Sequence, residues 1–270
     1  MMRFGDFEIG EDKDMQRYFV SPEQFKENRV DITGEDARHI TKVMRGKLGD
    51  TFIVSDGVSR EALVEIESIE QTSVIAVVVE PMEMDHEPRL KVTIAQSLPK
   101  GDKMETVIQK CTEIGAVTFV PFLSERTIVQ YDAKKESKRL ERWRKIAKEA
   151  AEQSHRNMIP AVEQPLTWKK LLETFSNYDA VCFCYEKEHG SQLRDVLRPF
   201  TAQALQEPGS TASLLLLVGP EGGFTEEECR KAEEAGAVSV GLGRRILRCE
   251  TAGMTALACA LYESGEMGGV

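Results

Sequence analysis

Residues 214–223, LLLLVGPEGG, decide how this chain folds. Leu214 to Val218 is a short apolar run bounded by Gly219 and Pro220, and a run of that length reads as a strand buried on both faces rather than a helix. A tight loop must follow. Gly219, Gly222 and Gly223 allow positive φ and close approach, Pro220 stiffens the first bend, and Glu221 is displayed at the tip. Thr225 with Glu228 three residues later forms a capping box, so a helix begins there, and Gly236 is its expected stop.

The next stretch repeats the plan. Val238 and Val240 suit a short strand, Gly241 and Gly243 open a turn, and a helix runs from about Thr251. Two such loops at the ends of neighbouring strands make one pocket at a sheet edge, where open α/β sheets bind ligands. Neither loop matches GxxxxGK[ST] or a GxGxxG followed by a distant acid, which excludes a P-loop and a dinucleotide fingerprint. A lysine-free glycine loop with an exposed Glu suits an uncharged or cationic ligand better than a triphosphate.

A chain of 270 residues can bury a full core. Its six cysteines form no C-x2-C pair, which argues against a zinc site and a secreted disulfide framework, so no metal is expected. Cys249 reads as a buried thiol before it reads as a nucleophile. With no signal peptide and no run of eighteen apolar residues, the expected place is the cytoplasm, away from membranes. The formal net charge of −10 discourages RNA binding on its face. Distribution counters the total, because residues 134–148, KKESKRLERWRKIAK, concentrate Lys and Arg; the same run also reads as a solvated helix face with i,i+4 pairs.

Residues 1–14 are acid-rich, precede a second methionine at Met15, and read as an added leader or an upstream start set apart from the fold. From 15 to 80 the pattern is β-rich, with RYFV, DTFIVSD, EALVEIESI and SVIAVVVE separated by turn signals, and reads as a small barrel. One helical insertion, GEDARHITKVMRGK, puts Arg38, Lys42 and Arg45 on one face with His39 beside them. Residues 81–89 are polar and proline-bounded, the expected linker, and 90–265 form the second domain. There KVTIAQSL is a strand and PKGDKMETVIQKCTEIGA a loop and helix ending at Gly115, with Met104, Val107, Ile108, Cys111 and Ile114 facing the core. Lys100 and Lys103 occupy the loop and first turn, where the helix dipole prefers acids, and so favour an RNA contact. Trp143 belongs to an apolar stripe with Ala147, Ala150 and Ala151, DAVCFCYE is a buried strand, and the Ser- and Pro-rich connector after it reads as partly helical and peripheral.

Four strings, SLPKGDKMETVIQKCTEIGA, EAAEQSHR, GPEGGFTEEE and LGRRILRCETAGMTALA, stand in one order, and together they resemble the small-subunit ribosomal RNA uridine-N3 methyltransferases of the SPOUT superfamily. The likeness runs over residues 15–262. It implies an α/β fold in which a knotted methyltransferase domain, a parallel sheet with a deep trefoil knot, follows a small PUA-like β-barrel. It implies S-adenosylmethionine as cofactor, methylation of N3 of a specific uridine in 16S ribosomal RNA, and a homodimer. The partner is small-subunit ribosomal RNA or the assembled subunit. Three rivals remain: a SPOUT enzyme acting on another RNA position, a non-catalytic assembly factor whose cofactor loops are broken, and a nucleotide-binding metabolic enzyme unrelated to RNA.

By the same resemblance, backbone groups of Leu217, Gly219 and Gly222, together with Glu221, hold the cofactor from the first loop. Leu242, Gly243, Ile246, Leu247 and Arg248 hold it from the second, and Thr251 and Ala252 close the pocket. Arg248 steadies developing negative charge, and the general base is Glu152, Glu221 or a water they orient. Glu250 reads as a helix-start acid or a catalytic one. RNA contacts fall to Arg17, Arg38, Lys42, Arg45, Lys100, Lys103, Arg126 and Arg156. His155 stands where the family commonly has a small residue, which leaves the local backbone open.

Overall fold

The computed structural model describes residues 15–127, 133–188 and 190–269; the expected leader lies outside them. The chain divides into two compact units, one of residues up to 87 with 152–158, the other of 88–151 with 159 onward.

In the first unit β1 (Arg17–Phe19), β2 (Arg29–Thr33), β3 (Thr51–Ser55), β4 (Glu61–Ile69) and β5 (Ser73–Met82) form one sheet in the order β1-β3-β4-β5-β2. β1 lies parallel to β3, and the other pairs are antiparallel. Alternation along β4 sends Ala62, Val64 and Ile66 inward to meet Tyr18, Ile32, Phe52, Val54 and Val74. Two register shifts between β4 and β5 bend the pair around that core. Among the described residues no ladder joins β1 to β2, so the expected barrel is a bent five-stranded sheet. β5 continues through Pro81 and Met82, which pair with Ala62 and Glu61.

The basic insertion is not one regular helix. α1 (Gly34–Arg38) passes into a π-turn at His39–Val43, and Arg45 has φ 55°. Arg38, Lys42 and Arg45 are all exposed, but the wider turn replaces the even i, i+4, i+7 face.

The second unit is a parallel sheet with helices on both faces. Its strands are β6 (Leu90–Ser97), β7 (Thr118–Leu123), β8 (Ala161–Val162), β9 (Leu166–Thr167), β10 (Ala180–Cys184), β11 (Ala212–Val218) and β12 (Val238–Val240). Their order is β12-β10-β11-β6-β7-β8, with β9 also on β7. The helices are α2 (Lys103–Ile114), α3 (Ala133–Gln153), α4 (Trp168–Leu172), α5 (Leu193–Ala204), α6 (Glu226–Glu234) and α7 (Cys249–Glu263).

β11 is central, paired with β10 on one side and β6 on the other. Leu214 and Leu216 enter the core shared with α2, α3, α5 and α7, while Leu215 and Leu217 enter the opposite core with α4 and α6. All four are fully buried, each contributing about 1.5–3 kcal/mol. Such a strand must be apolar at every position. Pro121 inside β7 is tolerated because it falls between the two short partners: β8 pairs with Thr118 and Phe119, and β9 with Phe122 and Leu123.

Met104, Val107, Ile108, Cys111 and Trp143 are buried as their spacing requires, and Gly115 ends α2 with φ 122°. α5, expected to be peripheral, instead places Leu193 and Leu197 in the core. His155, just beyond α3, has φ 55°, a left-handed conformation that explains why a small residue suits this position.

Candidate active site

Two loops at the carboxyl ends of the parallel strands enclose a cavity of about 790 Å³. They do not follow adjacent strands, since β10 lies between β11 and β12. The segment after β10, Tyr185 to Glu188, therefore enters the cavity wall. Nothing in the spacing of DAVCFCYE marks that segment, because strand order is set by long-range pairing.

The first loop is braced from beneath. Gly223 has φ 66° and donates to the Pro220 carbonyl at 2.9 Å, closing a turn. At Gly219 a Cβ would lie 2.9 Å from Phe224, whose buried ring packs on Phe183 at 4.3 Å, so this glycine is required by the protein's own aromatic anchor. Thr225 caps α6 as expected: its hydroxyl accepts the Glu228 N–H at 3.2 Å, and Glu228 accepts the Thr225 N–H at 2.9 Å. The other Glu228 oxygen accepts the Glu125 N–H at 2.8 Å. Arg126 donates to the Gly222 carbonyl at 2.7 Å, so a residue expected on RNA supports the glycine loop.

The second loop is held by Gln192. Its side-chain oxygen accepts the Gly243 N–H at 3.2 Å, and a Cβ at Gly241 would meet its amide and the Glu188 carbonyl at 2.9 Å. Arg248 is the N-cap of α7, with its carbonyl accepting the N–H groups of Thr251 and Ala252. The cavity walls include Gly219, Glu221, Gly222, Leu242, Gly243, Ile246, Leu247, Arg248 and Ala252. Leu217 and Thr251 are not lining residues; the Leu217 side chain belongs to the core beneath. Ile246 is 89% exposed and stands at the rim, while Leu242 and Leu247 are half-buried.

Lys103 bridges the cavity mouth, its Nζ 2.9 Å from Glu221 Oε1 and 3.5 Å from Glu250 Oε2. The hydrogen bond to Glu221 raises the Lys103 pKa. Burial pushes both glutamates up, but for Glu221 the bonds from Lys103 and the Lys100 N–H outweigh it. For Glu250 its own backbone N–H, the Cys249 thiol and Lys103 do the same, and both stay below the usual carboxylate range. Burial first, then Glu250, pushes Cys249 up to about 12, so at neutral pH it is a thiol and no nucleophile. The cavity is not cation-poor as the first loop alone implied. Lys103, Lys187, Arg244, Arg245 and Arg248 line it, and the three arginines are exposed. Arg244 and Arg245, inside the quoted LGRRILRCETA, went unassigned because a run of arginines on a loop does not declare which way it faces.

Arg17, Glu152 and Arg156 all belong to the first unit. Arg17 is buried, with Nη1 2.5 Å from Glu61, and Arg156 is buried against Glu87 at 2.5 Å. Asn157 Nδ2 joins the same network, donating to Glu61 at 2.8 Å. Neither arginine presents its guanidinium to solvent, so both are structural cations here rather than phosphate contacts. Glu152 accepts the Phe19 N–H at 3.1 Å and is not a cavity residue, which leaves Glu221 as the candidate base on the cavity wall. Lys100 is exposed beside Glu221. On α3, Lys135, Lys138, Arg142, Arg144 and Lys145 are exposed; Arg142 pairs with Glu105 on α2, and Arg144 donates to the Val162 carbonyl.

A parallel sheet carries two glycine loops at one cavity, and the same chain also folds a β-rich unit. The RNA methyltransferase domain family matches residues 86–261, and the RNA methyltransferase PUA domain family matches residues 32–79. The ribosomal RNA small subunit methyltransferase E of Bacillus subtilis is 42% identical over 253 residues, covering 93% of this chain and 97% of that protein. The crystal structure of its namesake from Neisseria gonorrhoeae, bound to S-adenosyl methionine, superposes with a TM-score of 0.78 at 30% identity over 92% of this chain and 97% of the other. A putative methyltransferase from Legionella pneumophila in complex with the same cofactor gives 0.80 at 28% identity, over 92% and 97%. The chain belongs to the RNA methyltransferase family, and within it to the ribosomal RNA small subunit methyltransferases E.

Proposed function

We propose that this protein transfers the methyl group of S-adenosylmethionine to N3 of one uridine in small-subunit 16S ribosomal RNA. The observation that carries the reading is the cavity formed by both glycine loops, intact and braced by Gln192, Arg126 and Phe224, in a chain of this family. The residues present fit the cofactor: Val218, Leu242 and Leu247 offer apolar surface for a flat purine. When bound, the cofactor supplies an electrophilic methyl group on a sulfonium.

The chain's own residues do the rest. The loops hold the two reactants in line, which supplies about 7–11 kcal/mol when reacting atoms are kept at attack distance. Arg248, at the cavity wall and at the N-terminus of α7, is placed to steady negative charge developing on the base. The base edge must be reached, so the target nucleotide is taken from its stack or is already unpaired. Exposed Arg38, Lys42 and Arg45 are the phosphate contacts of the first unit, and such contacts position RNA without specifying sequence. A homodimer, the trefoil knot and a cytoplasmic location complete the reading; no described helix is long and apolar enough to cross a membrane. A non-catalytic factor is disfavoured by the completeness of both loops.

The test is incorporation of labelled methyl into 16S RNA of small subunits from cells lacking the activity. The parent labels the RNA, and Arg248→Ala with unchanged cofactor affinity loses at least about tenfold in kcat. Equal rates would remove Arg248 from its role, and an unlabelled RNA with the parent would reject the function.

A further inference from the structure

Lys103 occupies an unfavourable place for a cation. It opens α2, where the helix dipole favours acids, yet it lines the cavity between Glu221 of the glycine loop and Glu250 in the first turn of α7. An ammonium held between two carboxylates has no net positive charge to offer a phosphate, unlike exposed Arg38 or Lys42. What it offers is direction, a donor fixed beside an acceptor. Glu221 Oε1 takes both the Lys103 ammonium and the Lys100 N–H at 3.1 Å, which leaves Oε2 as its remaining acceptor.

The Watson–Crick edge of uracil reads acceptor, donor, acceptor across O4, N3–H and O2. An ammonium beside a carboxylate complements two adjacent positions of that edge. Cytosine presents an amino donor and a bare N3 acceptor, so it meets the same couple donor to donor and acceptor to acceptor. Lys103 and Glu221 are part-exposed at the cavity mouth, and a base seated against them sheds the water that would otherwise satisfy a mismatched donor or acceptor, so the mismatch is a means of rejection.

Resting on the methyl-transfer reading above, we propose that Lys103 and Glu221 are the base-reading pair of the site. Lys103 donates to uracil O4, the position where cytosine carries its amino group, and Glu221 accepts the N3–H. Glu250 is a positioning residue that holds Lys103 from the other side. In the reaction the N3–H bond breaks, its electron pair stays on nitrogen, and the proton passes to the Glu221 carboxylate and then to water. That pair forms the N3–methyl bond as the methyl–sulfur bond breaks, its electrons remaining on sulfur in a neutral thioether. Lys103 stays protonated throughout.

The experiment measures methyl transfer to unmodified small subunits, from about pH 7 to pH 9, for the parent, Glu221→Gln, Lys103→Met and Lys103→Arg. Cofactor Kd and the salt dependence of RNA binding are measured alongside. Glu221→Gln is expected to lose about a hundredfold in kcat and to regain rate as pH rises, because hydroxide then replaces the carboxylate. Lys103→Met is expected to lose about tenfold or more in kcat, partly restored in Lys103→Arg, and to lessen discrimination against a subunit carrying cytidine at the target position. The assignment is overturned if Glu221→Gln keeps the parent's kcat and pH profile and changes only cofactor Kd. It is equally overturned if Lys103→Met changes only the salt slope of RNA binding, the mark of a phosphate contact. A parent that forms no N3-methylated uridine overturns the functional reading itself, and is recognised by the parent's product alone.

Discussion

The Arg126 guanidinium donates to the Gly222 carbonyl at 2.7 Å, fastening the end of β7 to the glycine loop that follows β11. It also reaches the Phe224 carbonyl at 3.4 Å, so the loop hangs from one side chain at two points. Arg126→Ala is expected to raise the cofactor Kd about tenfold, the scale of one charge-assisted hydrogen bond, while the salt slope of RNA binding stays unchanged. Calorimetric titration of cofactor and RNA binding at several salt concentrations checks both. An unchanged cofactor Kd with a slope reduced by about one would make Arg126 a phosphate contact.

Gly219→Ala tests the packing under the loop. The added Cβ would sit 2.9 Å from the Phe224 ring, which is wedged between Phe183 and Phe122 and has little room to move. Overpacking of this kind costs about 1–3 kcal/mol. The urea midpoint of Gly219→Ala should fall, and Gly219→Ala with Phe224→Leu should fall by less than the sum of the two single changes. Strict additivity would show that the two residues do not interact.

Arg17 and Arg156 look like RNA ligands in the sequence and are structural cations in the fold. Arg17→Met leaves the buried Glu61 carboxylate without its arginine, and breaking a buried pair in this way costs about 3–5 kcal/mol. A lower thermal midpoint is therefore expected, with RNA salt dependence unchanged at temperatures where the variant is folded. A stable variant with a shallower salt slope would return Arg17 to the RNA surface.

Asp56 makes acid stability of the first unit predictable. Burial would raise its carboxyl, but the N–H groups of Ser59, Arg60 and Val58 and the Arg60 side chain outweigh that and hold it at about 2 against an ordinary 3.8. A depressed folded pKa adds stability that is complete above the unfolded value and is lost as pH falls from about 3.8 through about 2. The contribution is about 2 kcal/mol. Asp56→Asn should lower the urea midpoint at pH 7, and the difference from the parent should shrink steadily as pH falls from about 3.8 through about 2. A gap that persists unchanged in acid would mean that the side chain acts through shape alone.

The strand and its loop were legible because local rules leave few choices there. Leu214 to Val218 has no polar position, and only a strand packed on both faces needs that; Thr225 and Glu228 marked the start of α6 by their chemistry. The resemblance of the four motifs brought nine cavity residues with it. What stayed hidden depends on partners far along the chain. The insertion of β10 between the two loop-bearing strands admits Tyr185 to Glu188 to the cavity, and a π-turn breaks the even spacing of Arg38, Lys42 and Arg45. Arginines were the hardest residues to place. One guanidinium serves a phosphate, a buried carboxylate or a loop carbonyl equally well, and only Glu61, Glu87 and Gly222 separate those roles for Arg17, Arg156 and Arg126.

The most direct measurement incubates the protein with S-adenosylmethionine and small ribosomal subunits from cells lacking the activity, then digests the 16S RNA and identifies its nucleosides by mass spectrometry. The account predicts one new 3-methyluridine per subunit and no other methylated nucleoside. A methyl group on another base or on ribose, or none despite cofactor binding to the folded protein, would contradict it.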